Sequence, residues 1–247
     1  MWDDAGAMGR LTRRLLVLVV LMLIGAAVVW LYNSDKFPVR QIAMQGKLTY
    51  ADSKELGATA RSYIKGNIFR ADIAGAQEAL QKLPWIDSAM IRRRFPDTVE
   101  IQLVERIPVA RWGDSGLVDT KGNVFKAKIG IPLPVFEGQP GTGKDMVGHY
   151  REFSEILARR QLKIRELVYT PRSAWLVKLD NGIVIRLGRE NEIKRLQQFA
   201  EIWPGVLRQQ QNSLSYVDMR YKDGFSVRYK TSAERPSENR AEQIQHQ

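Results

Sequence analysis

The sequence predicts an α+β protein: one membrane-spanning N-terminal helix followed by two small modules outside the membrane. Three observations carry this. An uncharged, proline-free apolar run covers 15–32. A strand-helix-helix-strand-strand pattern follows it, and then a β-rich stretch broken by two amphipathic helices.

The run LLVLVVLMLIGAAVVWLY sets the frame. About eighteen residues at ~1.5 Å rise give roughly 27 Å, close to the hydrocarbon thickness of a bilayer. Trp30 and Tyr32 stand at one end, where aromatic rings favour the interface. Arg10, Arg13 and Arg14 stand at the other, so the positive-inside rule puts the N-terminus in the cytoplasm and the bulk of the chain outside. A cleaved signal peptide would have a shorter apolar region ending at a small-x-small site. Here Gly25-Ala26-Ala27 lies inside the run, and Val28-Val29-Trp30 follows. A buried core helix would not carry so long an uninterrupted run beside an arginine cluster.

The 247 residues include no cysteine, which excludes a thiolate metal site or a Cys nucleophile. The two histidines, His149 and His246, leave almost no material for a His-rich metal site or a Ser-His-Asp triad. No cofactor is expected. The net charge of +11 fits nucleic acid, anionic lipid or an acidic partner. Outward topology and dispersed Lys and Arg argue against nucleic acid.

In order, 1–14 reads as a short disordered cytoplasmic tail, 15–32 as the span and 33–38 as a linker. A strand is expected over 39–46, with Ile42 and Met44 on one face and Val39, Gln41, Ala43 and Gln45 on the other. Asp52 or Ser53 can cap a helix whose face is Leu56, Ala60, Tyr63 and Ile64. Asp72 can cap a second, with Ile73, Ala76, Gln77 and Leu80 together. Strands are expected over 86–93 and 98–106, joined by Phe95-Pro96-Asp97. In the first, Ile86, Ser88 and Met90 alternate with Asp87, Ala89 and Ile91; in the second, Val99, Ile101 and Leu103 share a face. Arg92-Arg93-Arg94 reads as cross-strand pairing with Glu100 and Glu105 rather than as a binding patch.

The stretch 83–112, LPWIDSAMIRRRFPDTVEIQLVERIPVARW, resembles a POTRA domain. The resemblance rests on Pro84-Trp85-Ile86, the turn from Arg93 to Thr98 and the exit from Val104 to Ala110. It implies a protein-docking module over 39–107.

The second module is expected over 108–230 as an antiparallel sheet with two helices. Two short strands flank a turn within 116–125, and 131–143, rich in Pro and Gly, reads as a loop. Met146, Tyr150, Phe153, Ile156 and Leu157 mark a helix. Strands follow over 164–169, 175–179 and 183–187, the last two joined at Asp180-Asn181-Gly182. Asn191 can cap a helix with Ile193, Leu196, Phe199, Ala200 and Trp203 on one face before Pro204. A final hairpin is expected from 215–221 and 225–230, and 231–247 reads as a disordered tail.

Tail, span, POTRA-like unit and β-rich domain, in this order, resemble the FtsQ/DivIB family of bacterial cell-division proteins in its Gram-negative form. WLVKLDNGIVIRLGR over 175–189, KRLQQFAEIWP over 194–204 and SYVDMRY over 215–221 carry that likeness. It implies a non-enzymatic scaffold in the inner membrane at the division septum, with its bulk in the periplasm.

The residues themselves point to the last strand as a docking edge, because an edge offers unpaired N–H and C=O groups to an incoming strand. Phe225, Val227 and Tyr229 lie on it, and Tyr221 adds aromatic area. Arg220 can fork onto a carboxylate. The alternative is that Phe225, Val227 and Tyr229 pack the inner face. The resemblance implies that FtsB lies along this strand with FtsL alongside. It matches the family's contact pattern at Arg172, Arg220, Tyr221 and Asp223, while Tyr229 stands where the pattern often has Trp. The POTRA-like unit is then expected to meet other divisome proteins. Two other classes compete: a POTRA-bearing secretion or outer-membrane assembly factor, and a membrane-tethered wall hydrolase. A hydrolase would need paired carboxylates. Asp180, Asp218 and Asp223 read instead as turn formers and strand surface charges.

Overall fold

The computed structural model describes residues 5–34, 36–222 and 224–231. Helix α1 runs Ala5–Asn33. Its stretch Leu11–Asn33 is long and apolar enough to cross a membrane. The helix starts well before the apolar run, so the expected disorder of the tail does not hold from Ala5 on. Ala, Met, Leu and Arg, all strong helix formers, take seven of the ten positions 5–14, against Gly6, Gly9 and Thr12. Residues 1–4 lie outside the described residues.

The chain divides into two compact units between Arg106 and Ile107. In the first, β1 (Gln41–Gln45), α2 (Ser53–Tyr63), α3 (Ile73–Gln81), β2 (Ile86–Arg94) and β3 (Thr98–Glu105) follow in order. The sheet order is β1-β3-β2, with β1 parallel and β2 antiparallel to β3. Asp52 accepts from the Lys54 N–H at the start of α2, and Asp72 from the Gly75 N–H at the start of α3. Leu56, Ala60, Ala76 and Leu80 of the helices close a core with Ile86, Ala89, Ile91, Val99, Ile101 and Leu103. Tyr63 points out of it.

The alternation predicted for β2 is broken at its start. The register shifts between Ile86 and Ser88, which brings Ile86 onto the buried face with Ala89 and Ile91. Arg92 stands opposite Glu100, but Arg93 donates to the Ile68 and Ala71 carbonyls. Glu105 pairs with no arginine of the run; it accepts the N–H groups of Thr49, Tyr50 and Ala51 and so holds the turn before α2.

The second unit contains β4 (Pro108–Trp112), β5 (Gly116–Asp119), β6 (Val124–Phe125), β7 (Val135–Glu137), α4 (Gly143–Ala158), β8 (Ile164–Tyr169), β9 (Trp175–Leu179), β10 (Val184–Gly188), α5 (Glu192–Ile202), β11 (Leu214–Asp218) and β12 (Ser226–Tyr229). They form a nine-stranded sheet in the order β12-β11-β10-β9-β8-β7-β4-β5-β6. Most neighbours are antiparallel, but β4–β7, β7–β8 and β10–β11 are parallel. The last two joins are where a helix intervenes, α4 after β7 and α5 after β10, because parallel neighbours need a crossover.

Strand β7 lies inside the stretch expected to be a loop. Three residues between prolines and glycines are too short to show alternation, yet β7 is central: Phe136 is fully buried, with β4 on one side and β8 on the other. Asp119, also buried, accepts from the Lys121 and Asn123 N–H groups and fixes the turn ending at Gly122. Gly122 has φ +85°, and a Cβ there would stand 2.3 Å from the Lys144 Cα, so no larger residue fits.

Asn191 occupies the N-cap position of α5 but is left-handed, φ 55°, and its side chain makes no capping bond. Pro204 does not end the helical path; a π-helical turn, Trp203–Leu207, and a 3-10 turn, Arg208–Gln210, carry it on. Helices α4 and α5 join the core through Phe153, Leu157, Leu196 and Phe199. His149 ties them together, stacked on Trp175 at 4.2 Å and 3.1 Å from the Glu192 carboxylate. The expected disordered tail lies outside the described residues from 232 on.

Candidate functional site

Strand β12 is the edge of the nine-stranded sheet. It pairs antiparallel with β11, Val217 opposite Val227 and Asp218 opposite Ser226. Its other side carries no strand among the described residues. The far edge, β6, is only Val124–Phe125, with Phe125 buried, and offers little length for pairing. On β12, Val227 packs against the core while Phe225, just before the strand, and Tyr229 remain exposed. The inward-packing alternative therefore holds for Val227 and not for the two aromatics. Tyr229 is oriented by a 2.6 Å bond from its hydroxyl to Gln210 Oε1.

Tyr221 and Arg220 lie past the end of β11 rather than on it, since the strand stops at Asp218. Tyr221 is 60% exposed, more open than Phe225 and Tyr229. Asp223 lies outside the described residues.

Arg220 is not a free fork. Its Nε and Nη2 donate to both oxygens of Asp218 at 2.8 and 2.7 Å, and its backbone N–H adds a further bond at 3.1 Å. Burial works to raise the Asp218 carboxyl. The Arg220 hydrogen bonds and charge, with Arg186 behind them, outweigh it and hold the group below the usual carboxylate range. The same bonds push the Arg220 guanidinium above its ordinary value. Asp218 is thereby accounted for as the buried counter-charge of Arg220. Asp180 accepts from the Asn181 N–H at the β9–β10 turn.

Arg172 and Arg220, remote in sequence, line one recess of about 460 Å³. Arg172 comes from the turn between β8 and β9, which Thr170 closes by accepting the Ala174 N–H on its hydroxyl and the Ser173 N–H on its carbonyl. The recess also takes Arg189, Glu190 and Arg195, residues that sequence reasoning did not single out. Arg195 crosses from α5 to donate to the Leu187 carbonyl at 2.6 Å and to the Arg220 carbonyl at 3.4 Å. Gly188, φ +82°, makes this possible: a Cβ there would meet Arg195 Nη1 at 2.9 Å. Its position at the end of a strand before a charged pair was the available signal.

Four arginines and one Glu line this recess, Arg195 and Arg220 among them already bonded to the Leu187 carbonyl and to Asp218, so Arg172 and Arg189 carry the charge that is open to a carboxylate. No group of three His, Cys, Asp or Glu that could hold a metal ion occurs among the described residues.

Two family models match the chain: "POTRA domain, FtsQ-type" over 37–106 and "Cell division protein FtsQ/DivIB, C-terminal" over 110–220. The chain is 59% identical to the cell division protein FtsQ of Neisseria gonorrhoeae, over 93% of its own length and 95% of the relative's. It is 32% identical to the FtsQ of Burkholderia pseudomallei, covering 92% and 94%. With the FtsQ of Escherichia coli it shares 31% identity, covering 86% and 81%.

Proposed function

The chain belongs to the FtsQ/DivIB family of cell-division proteins, and from that premise we propose that it is a divisome scaffold that docks FtsB by strand addition along β12, with FtsL alongside. The observation that carries the reading is the open edge of β12 next to the arginine recess. Main-chain bonds to β12 would supply affinity without regard to sequence. Tyr221, Phe225 and Tyr229 would bury aromatic area, and Arg172 and the exposed side of Arg220 would select acidic residues in the incoming segment. Asp223 belongs to the same proposed contact set.

In this reading α1 crosses the inner membrane with its N-terminus in the cytoplasm, the bulk of the chain lies in the periplasm at the septum, and the POTRA unit meets other divisome proteins. No chemical step is assigned. The open sheet, with edges at β12 and β6, also speaks against an outer-membrane barrel, which must close on itself.

The test is binding of a soluble FtsB–FtsL complex to the exported part. Tyr221→Ala is expected to weaken binding on the order of thirtyfold, the loss of a contact worth about 2 kcal/mol. Arg172→Glu is expected to weaken it further in low salt than in high. Val227→Pro should abolish it, and circular dichroism must first match the parent. Parent-like binding by folded Tyr221→Ala and Arg172→Glu together would remove the β12 edge as the docking site.

A further inference from the structure

The first unit grips the end of α1 through contacts that the β12 edge does not explain. Asn67 is buried and donates from Nδ2 to the carbonyls of Leu31 at 3.2 Å and Ser34 at 2.5 Å. These are groups that a helix C-terminus leaves open. Its Oδ1 accepts the Phe69 N–H, and backbone bonds from Val39 to Gly66 and from Ile68 to Phe37 zip the chain leaving the helix onto the same loop. Arg93 splints that loop to β2 through the carbonyls of Ile68 and Ala71.

The loop is thus held within one side chain of the level where the apolar helix ends. Cations flank the aromatics there: Lys36 lies 5.6 Å from the Trp30 ring centre and Arg70 5.8 Å from that of Tyr32. A row of rings leads outward, Phe37 to Phe69 at 5.8 Å and Phe69 to Phe95 at 5.2 Å. It ends at Phe95, which is 59% exposed on the β2–β3 turn. Arg94, next to it in the chain, and Lys65, just before Gly66 of the loop, are exposed. Among the described residues, the acidic groups next to this loop and turn have partners of their own: Asp72 caps α3, and Asp97 accepts from the Thr98 hydroxyl.

We propose that this surface lies on the bilayer that α1 crosses, with Phe95 in the interfacial layer and Lys36, Lys65, Arg70 and Arg94 facing the phosphates of anionic phospholipids. The proposal rests on the reading of α1 as a membrane span. The headgroup layer adds roughly 5–7 Å beyond the hydrocarbon on each side, and one ring contact past a loop bonded to Leu31 reaches it. An exposed phenylalanine on a surface that also presents exposed cations is a side-chain set that lies in an anionic interface. The occupant is fixed by continuity: the surface begins where the apolar helix stops.

The chain lacks cysteine, so single cysteines at Leu21, Phe95 and Val104 can each carry a fluorophore in the full-length protein in vesicles. Val104 is exposed at the opposite end of β3, roughly 20 Å from the turn. A quencher deep in the acyl chains should quench the Leu21 label, and a quencher near the headgroup the Phe95 label, while the Val104 label stays bright. Omitting phosphatidylglycerol, or reversing charge with Arg70→Glu and Arg94→Glu, should cut the Phe95 quenching at least about twofold. A quenched Leu21 label with an unquenched Phe95 label would overturn the docking while leaving the span intact. An unquenched Leu21 label would overturn the span and the proposal with it. Equal Phe95 quenching with and without anionic lipid would overturn the role given to the cations.

Discussion

Arg220→Met separates what Arg220 does inside the fold from what it does for a partner. The wild-type guanidinium makes three bonds to an Asp218 carboxylate whose side chain is 5% exposed, Nε to both oxygens and Nη2 to Oδ2, and the backbone N–H of residue 220 stays when they are removed. Leaving a buried charged acceptor short of partners costs about 1–3 kcal/mol. The guanidinium itself is 56% exposed and screened by water, which favours the lower half of that range, about 1–2 kcal/mol. For a unit of this size that is a fall in Tm of roughly 2–8 °C. The acid limb gives the second reading. A carboxyl held low in the folded state contributes stability that is full above its unfolded value of about 3.9 and is lost as pH falls through its folded value. With Arg220 gone, burial acts with less opposition, so that loss should begin at a higher pH in the variant than in the parent. Asp218→Asn in the same background should restore much of the lost stability, since the unpaired charge is gone. The assay is thermal and acid unfolding of the exported part followed by circular dichroism. Identical Tm and acid midpoints for Arg220→Met and the parent would refute the internal pairing and return Arg220 wholly to partner contact.

Three further outcomes are expected. A fragment spanning 37–107 should unfold cooperatively in urea, as small domains do; a broad, non-cooperative change would displace the proposed boundary. Phe136→Ala should lower the stability of the second unit by about 3–5 kcal/mol, read from the denaturation midpoint, whereas Phe225→Ala should change it by less than about 1 kcal/mol. Single cysteines at Lys128 and Ala7 should be respectively labelled by and protected from an impermeant thiol reagent applied outside intact cells; labelling of Ala7 would reverse the proposed orientation.

The elements that announced themselves in the sequence were those whose signals are local. Asp52 and Asp72 sit before apolar residues at helical spacing, and both cap helices. Val99, Ile101 and Leu103 alternate because β3 has one buried face. What stayed hidden depends on neighbours remote in the chain. The three residues of β7 become a central strand only because β4 and β8 flank them, and the parallel joins follow from helices crossing the sheet. The shift after Ile86 hides in a pattern that would alternate equally well either way. At the site, Arg172 and Arg220 were singled out separately, but nothing local brings them to one recess or adds Arg195 from α5. The Asp218–Arg220 pair was missed although its signal is local: Asp218 was read as a surface charge and Arg220 as free for a partner. Residues two apart on an extended chain share a side, so an acid two places before an arginine was a readable sign that the guanidinium has a partner of its own.

An edge strand that is to accept one segment must refuse others, and β12 shows how charge can do that. An open edge invites pairing with any extended chain, and natural sheets blunt it with cationic side chains. On β12, Arg228 faces solvent between Val227 and Tyr229, and Lys230 closes the strand with its Nζ on the Asn212 carbonyl and its N–H on the Ser213 carbonyl. The recess of Arg172, Arg189, Arg195 and Arg220 adds positive charge near the Asp218 end of the hairpin. A neutral or basic strand arriving here gains main-chain bonds but leaves these charges desolvated or repelled. An acidic strand gains both. The arginines would then contribute less to raw affinity than to the difference between right and wrong segments, because specificity is a difference of two binding free energies. In the proposed docking, the Asp218–Arg220 pair would fit this division of labour: with one guanidinium fixed in place before a partner arrives, the ordering cost of binding would fall, and the half-exposed side of Arg220 lines the recess.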